Sequence, residues 1–199
     1  MFRDQHHAMR PPSSGITTVA EELAARLLGG MGNRWRHTRG VAHRAADMAH
    51  ALGLDPDLLV AAGWLHDIGY ADAAKVTGFH PLDGANYLAA RMWPARIVGL
   101  VAQHSGARFE AAARGLATEL AAYSDGGGPE SDALTYADQT VGPSGEPVST
   151  IERHTEMLQR HGPDSWSAKV DHLRAPYLQA VAARIERRLV EERLAATGA

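Results

Sequence analysis

Apolar residues recur along this chain at helical spacing, and glycine, proline and capping residues divide the recurrence into segments. Thr17 or Thr18 is placed to cap a first helix through about Leu28, with Glu21 and Glu22 in early turns where the helix dipole favours acids. Gly29-Gly30 ends it. Asn33 caps a second helix to about Leu52, and Val41, Ala45, Met48 and Leu52 repeat at three- and four-residue steps to mark its inward face. After Gly53, Asp55 caps a third helix over residues 56–66, with Pro56 in the first turn and Leu58, Leu59, Ala62 and Leu65 as its apolar stripe. The second and third helices form a hairpin.

A second hairpin follows, in which Pro81 opens a helix to about Met92, Pro94 breaks it, and a partner runs from Ala95 to about His104 before Gly106. Residues 116–123 and 132–139 read as short helices around Asp125-Gly126-Gly127-Gly128-Pro129, a surface turn that also has the composition of a hinge. Ser149 begins a helix to about His161. A long last helix over residues 165–194 is expected to kink at Pro176. Residues 1–15 read as a flexible arm, and residues 16–199 as one domain with its core over about 34–161.

Composition narrows the class. The hydrophobic 45% is carried mainly by alanine and leucine and only 6% is aromatic, which favours an all-α fold. With a net charge of −3 and cations scattered among acids, no basic stripe suits a long nucleic acid. The absence of cysteine excludes disulfides, thiolate ligands and cysteine nucleophiles, and fits a reducing cytoplasm. No window approaches the roughly 20 apolar residues that cross a bilayer, so a membrane partner is not expected.

Metal-ligating residue types then stand out in Leu65-His66-Asp67-Ile68-Gly69, where a His-Asp pair follows an apolar helix face and precedes a turn. His37 lies 17 residues before Leu54 and His66 12 after it, a level difference of roughly 8 Å that helix tilt and two imidazoles can span. His80, just before the first helix of the second hairpin, and His104, at the end of its partner, differ in level by only about 3 Å and should meet at one end. Asp138 sits close behind Ala133, Leu134 and Ala137, where a buried carboxylate needs a compensating cation. His6, His7, His154, His161 and His172 read as surface or hydrogen-bonded side chains, and the register of the string around His37 sets His43 and His50 aside.

His37-Thr38-Arg39-Gly40-Val41-Ala42, then Ala61-Ala62-Gly63-Trp64-Leu65-His66-Asp67-Ile68-Gly69, then Ala137-Asp138, resembles the His…His-Asp…Asp signature of the HD superfamily of metal-dependent phosphohydrolases. The resemblance implies an HD-type helical bundle built from antiparallel hairpins. It implies that His37, His66, Asp67 and Asp138 hold one divalent metal, and that His80 and His104 match the extra histidines of dinuclear branches, where Asp67 bridges two ions. Nitrogen and oxygen ligands suit Fe, Mn, Co, Ni or Zn, and such metals make hydroxide available near neutral pH. The expected substrate is a small phosphate ester, with nucleotides among the candidates; Asp67 is the central catalytic position, and Lys75, Arg108 and Arg153 are candidate phosphate contacts. Ser105-Gly106-Ala107-Arg108 after His104 departs from the cyclic di-GMP hydrolase pattern, and no Glu-Asp pair of the guanosine tetraphosphate hydrolase type follows. Two other readings share the ligands: a mixed-valent di-iron oxygenase of the same fold, and a noncatalytic nucleotide-binding regulatory module. Tyr70, beside the motif, is placed either to contact substrate or to pack.

Overall fold

The computed structural model describes residues 15–197, which form α-helices joined by short connections, with a single antiparallel bridge between Val141 and Pro147. The expected arm lies almost wholly outside the described residues. Helix α1 spans Ile16–Leu28 with Gly15 at its N-cap, so Thr17 and Thr18 lie inside the helix and cap nothing. Helix α2 spans Asn33–Leu52; Gly32 occupies the cap position and Asn33 is the first helical residue, its side-chain oxygen accepting from Arg36. Helix α3, Pro56–Leu65, starts as expected: Asp55 accepts from the Leu58 amide at 3.2 Å. Gly53 adopts the left-handed conformation that turns α2 toward α3.

Small residues let α2 and α3 pack closely. A side chain at Gly63 would stand 3.0 Å from the Ala42 Cα and 3.1 Å from the Ala45 Cβ, while Trp35 and Trp64 stack at 5.6 Å beside this contact. The second hairpin comprises α4, His80–Ala89, and α5, Ala95–Gln103, joined through Met92 in a left-handed conformation. Helix α4 therefore ends short of Met92, and His80 is its first residue rather than a residue before it.

After a 3-10 turn over His104–Gly106, α6 spans Ala107–Arg114, a stretch to which the hydrophobic pattern assigns no element. Gly106 reads as a terminator, but in its left-handed conformation it is also the cap from which the chain restarts a helix. Helices α7, Ala117–Ala121, and α8, Pro129–Gln139, follow; Pro129 is the first residue of α8 and not part of the preceding turn. Helix α9, Thr150–His161, carries a full capping box between Ser149 and Glu152. The expected long last helix is divided at Val170 into α10, Trp166–Lys169, and α11, Asp171–Thr197, and α11 continues through Pro176.

The buried core is contiguous from Ala20 and Leu28 of α1, through Leu59 and Leu65 of α3 and Leu88 of α4, to Leu134 of α8 and Ile185 of α11. No helix among the described residues is long and apolar enough to cross a membrane.

Candidate metal centre

Several of the polar residues buried in this core lie near helix ends. His66 is the C-cap of α3, and Asp67 opens the 3-10 turn Ile68–Tyr70. Gly69 in that turn runs against the start of α4: an added Cβ would fall 2.0 Å from the His80 carbonyl oxygen and 2.7 Å from the Gly84 nitrogen. The missing side chain lets the Asp67 turn and His80 approach one another. Asp83, fully buried in α4, fixes the preceding loop by accepting from the Thr77 and Gly78 amides at 2.8 and 2.9 Å. His104 arrives from the end of α5, His37 from the second turn of α2 and Asp138 from the last turn of α8.

These elements bring all six residues around one focus. His37, His66 and Asp138 form one group of potential ligand atoms, and Asp67, His80 and His104 a second, each within 4.8 Å. Asp67 faces both groups. Its Oδ2 is 3.3 Å from His66 Nε2 and 3.9 Å from His37 Nε2, and its Oδ1 is 3.4 Å from His80 Nε2. Asp138 Oδ1 is 3.0 Å from His37 Nε2, and the Nε2 atoms of His80 and His104 are 3.3 Å apart.

Backbone carbonyls orient three of the rings. The Nδ1 atoms of His37, His66 and His104 lie 3.2, 2.8 and 2.6 Å from the carbonyl oxygens of Gly142, Gly63 and Val101. A carbonyl only accepts, so each Nδ1 carries the proton and each Nε2 turns a lone pair toward the focus. His66 Nε2 is buried with no hydrogen-bond partner, and His37 Nε2 lies 3.0 Å from Asp138 Oδ1. A bound cation satisfies both arrangements, and the imidazole and carboxylate donors fit a divalent transition metal.

Electrostatics set His80, His104, Asp67 and Asp138 in binding form, whereas the two carboxylates draw a proton to His66 until a cation replaces it. Burial lowers His80 well below the usual imidazole range, with the Asp67 carboxylate opposing and His104 reinforcing the shift; burial and His66 likewise lower His104. Burial would also lower His66, but Asp67 and Asp138 outweigh it and its pKa is raised. For Asp67, burial would raise the pKa, yet Arg34 and His66 hold the carboxyl well below its ordinary value. Asp138 is kept ionised in the same way, against burial, by His37 and Arg153.

A cavity of about 250 Å³ opens on this centre. Arg153 lines it, whereas Lys75 and Arg108 do not. Lys75 is exposed, and the Arg108 guanidinium lies over Tyr177 and Phe109 at 4.2 and 4.6 Å from their ring centroids. Tyr70 also lines the cavity, stacked on His80 at 4.1 Å, and burial raises its phenol to about 12. His43 and His50 are absent from both ligand groups, and His154 pairs with Asp171 at 2.7 Å. His161, read from sequence as a surface residue, is exposed but stands in the cavity lining.

Several site residues escape sequence reasoning. Arg34 pairs with Asp67 Oδ2 and covers the Tyr70 ring at 3.9 Å; its place three residues before His37, one helical turn away, is a signal that was there to use. Ser105 donates to Asp138 Oδ2, and Gln139 donates to the same oxygen at 2.9 Å. Ser105 does so with φ at 52°, a left-handed conformation that is costly for a residue with a side chain. Arg160 and Arg174 also line the cavity, from helices far along the chain.

The model of the HD domain family matches residues 34–142, more than half of the chain, and contains all six of these residues. The chain belongs to the HD domain family. Among curated proteins it is similar to a ribonuclease Y from Clostridium novyi (strain NT), 33% identical over 100 residues that cover 47% of this chain and 20% of that protein. A ribonuclease Y from Clostridium tetani (strain Massachusetts / E88) is 40% identical over 74 residues, 37% of this chain and 14% of that protein. One from Rhodopirellula baltica (strain DSM 10527 / NCIMB 13988 / SH1) is 46% identical over 56 residues, 28% of this chain and 11% of the relative. The matches thus span a fifth or less of the length of these relatives. No solved structure matches the chain.

Proposed function

We propose that this protein is a metal-dependent phosphohydrolase acting on a small phosphate ester, with two divalent ions sharing the Asp67 carboxylate. The observation that carries the reading is the division of that carboxylate, Oδ2 facing His37 and His66 while Oδ1 faces His80. His37, His66, Asp67 and Asp138 would hold one ion, and Asp67, His80 and His104 the other. A metal bound there supplies Lewis acidity, which makes hydroxide available near neutral pH and polarises a phosphoryl group.

The chain's own residues set the rest of the reaction. Arg34, beside Asp67 at the cavity wall, offers guanidinium N–H groups to phosphoryl oxygens as negative charge builds on them. Tyr70, held protonated by burial, offers a hydroxyl donor at the same wall. In hydrolysis a P–O bond forms from water, the P–O bond to the leaving group breaks, and the leaving oxygen acquires a proton.

The test is metal analysis of the purified chain, followed by an anaerobic screen of phosphomonoesters, dinucleoside polyphosphates, cyclic nucleotides and a short oligoribonucleotide with Mn, Fe, Co, Ni and Zn. The oligoribonucleotide is included because the similar proteins are named ribonucleases. Phosphate-ester cleavage without oxygen is expected, and Asp67→Ala should lose turnover and most bound metal. Turnover surviving in that variant, or dioxygen uptake with tightly bound iron in place of phosphate chemistry, would overturn the proposal.

A further inference from the structure

Part of the cavity wall beside the imidazole and carboxylate cluster is built from residues beyond the stretch matched by the family model. Arg153 and Arg160 come from α9 and Arg174 from α11, and all three line the same cavity as Asp67 and His104. Two contacts brace this wall: His154 of α9 pairs with Asp171 of α11 at 2.7 Å, and Ser167 of α10 donates to Glu110 of α6 at 3.0 Å.

The charge on this wall is not balanced. Arg153 and Arg160 share one carboxylate, Glu156, at 2.6 and 2.7 Å. Arg153 also approaches Asp138 at 3.6 Å, but that carboxylate faces His37 at 3.0 Å within the cluster. Arg174 has no carboxylate within ion-pair distance among the described residues. Its Nε donates to the Ser105 carbonyl at 2.8 Å, and one terminal nitrogen lies 4.0 Å from the Met157 sulfur. Burial disfavours the charge of this guanidinium and lowers its pKa. Three arginines against two carboxylates, Glu156 and Asp138, leave Arg174 without an ion-pair partner among the described residues, a positive charge that an entering anion can neutralise. The remaining lining arginines are already matched, Arg34 by Asp67 and Arg114 by Glu110.

We propose that Arg174 and Arg160 form a second phosphate subsite, so that the substrate presents one phosphoryl group to the His-Asp cluster and a further phosphate to this wall. The substrate class is a diphosphate or polyphosphate ester rather than a simple monoester. The assignment rests on the hydrolase reading for the reaction, but the subsite itself is a property of the arginines alone.

The experiment compares inorganic pyrophosphate with orthophosphate by calorimetric titration of the chelator-treated full chain, so that metal sequestration adds nothing to the signal. Pyrophosphate, which carries the greater charge and can reach both arginines, should bind about tenfold more tightly. Arg174→Gln should bring pyrophosphate to the orthophosphate level. Arg160→Gln, a change on an exposed side chain, should remove about threefold on the same scale even if the Arg174 variant folds poorly. With metal restored, Arg160→Gln should raise KM for a nucleoside diphosphate by a larger factor than KM for p-nitrophenyl phosphate. Equal binding of the two anions, or an unchanged preference in both variants, overturns the subsite even if monoesters are hydrolysed. A pyrophosphate preference that depends on Arg174 without turnover of any phosphate ester leaves the subsite standing and removes the hydrolase.

Discussion

Ser105 gathers three tasks into one residue. Its hydroxyl donates to Asp138, its carbonyl accepts from Arg174, and its amide donates to Thr135 Oγ1 at 3.1 Å, all from a left-handed backbone. Ser105→Ala should weaken metal binding by about tenfold or more, because a group that orients a ligand oxygen is removed while the ligand stays. Ser105→Gly loses the same hydroxyl but relieves a conformation costing about 1 kcal/mol, so its thermal midpoint should exceed that of the alanine variant. A glycine variant no more stable than the alanine variant would mean that the backbone there is not under strain. The sequence pointed to His37, His66, Asp67, His80, His104 and Asp138 through hairpin spacing and through the match of their order to the HD signature, since each residue alone is weak evidence, and the structure brings the six together. The sequence did not point to Ser105, whose importance lies in a dihedral angle, or Arg174, which is brought to the site only by the return of α11 across the molecule.

Between elements, the spacing of the Asp67 turn and α4 depends on two glycines in contact. An alanine at position 69 would place its Cβ on the His80 carbonyl, and the obstacle is backbone, which no rotamer change relieves. Gly69→Ala should therefore destabilise the fold by about 1–3 kcal/mol and move His80 away from Asp67. Denaturant unfolding and metal titration of the variant check both effects; an unchanged metal affinity would show that the turn adapts without disturbing the ligands. Helices α2, α3, α4, α5 and α9 were legible in the sequence because glycine and proline punctuation agrees with their apolar periodicity, with side-chain caps at Asp55 and Ser149 opening α3 and α9. Helix α6 was not, since Gly106 in a left-handed conformation both closes one segment and opens the next. The break before α11 fell at Val170, a residue with no helix-ending character, while Pro176 stayed inside the helix.

For the molecule as a whole, buried ionisable groups link folding to pH. With metal removed, His80 and His104 have depressed pKa values, so the unfolded chain takes up protons first as pH falls below 6.5 and stability declines. His66 is shifted the other way and opposes this, one imidazole against two. Asp67 and Asp138, held well below 3.8, contribute stability above that value which is lost as the solution becomes more acidic still. The unfolding temperature of the chelated protein should therefore fall between pH 7 and 5 and again below about pH 4. Circular dichroism at constant ionic strength measures it, and a midpoint that rises on mild acidification would mean that His66 dominates. Added metal at about a hundred times its Kd should raise stability by about 2.7 kcal/mol at pH 7.

The ligand cluster is drawn from positions 37–138, and the unbalanced arginine wall from positions 153–174. On the proposed reading, reaction and choice of reactant are written in separate stretches of one polypeptide. Exchanging the later stretch for that of another family member, with Arg153 kept beside Asp138 and Arg174 beside Ser105, should retune appetite while the ligand cluster keeps its support, making α9 a natural handle for redesign.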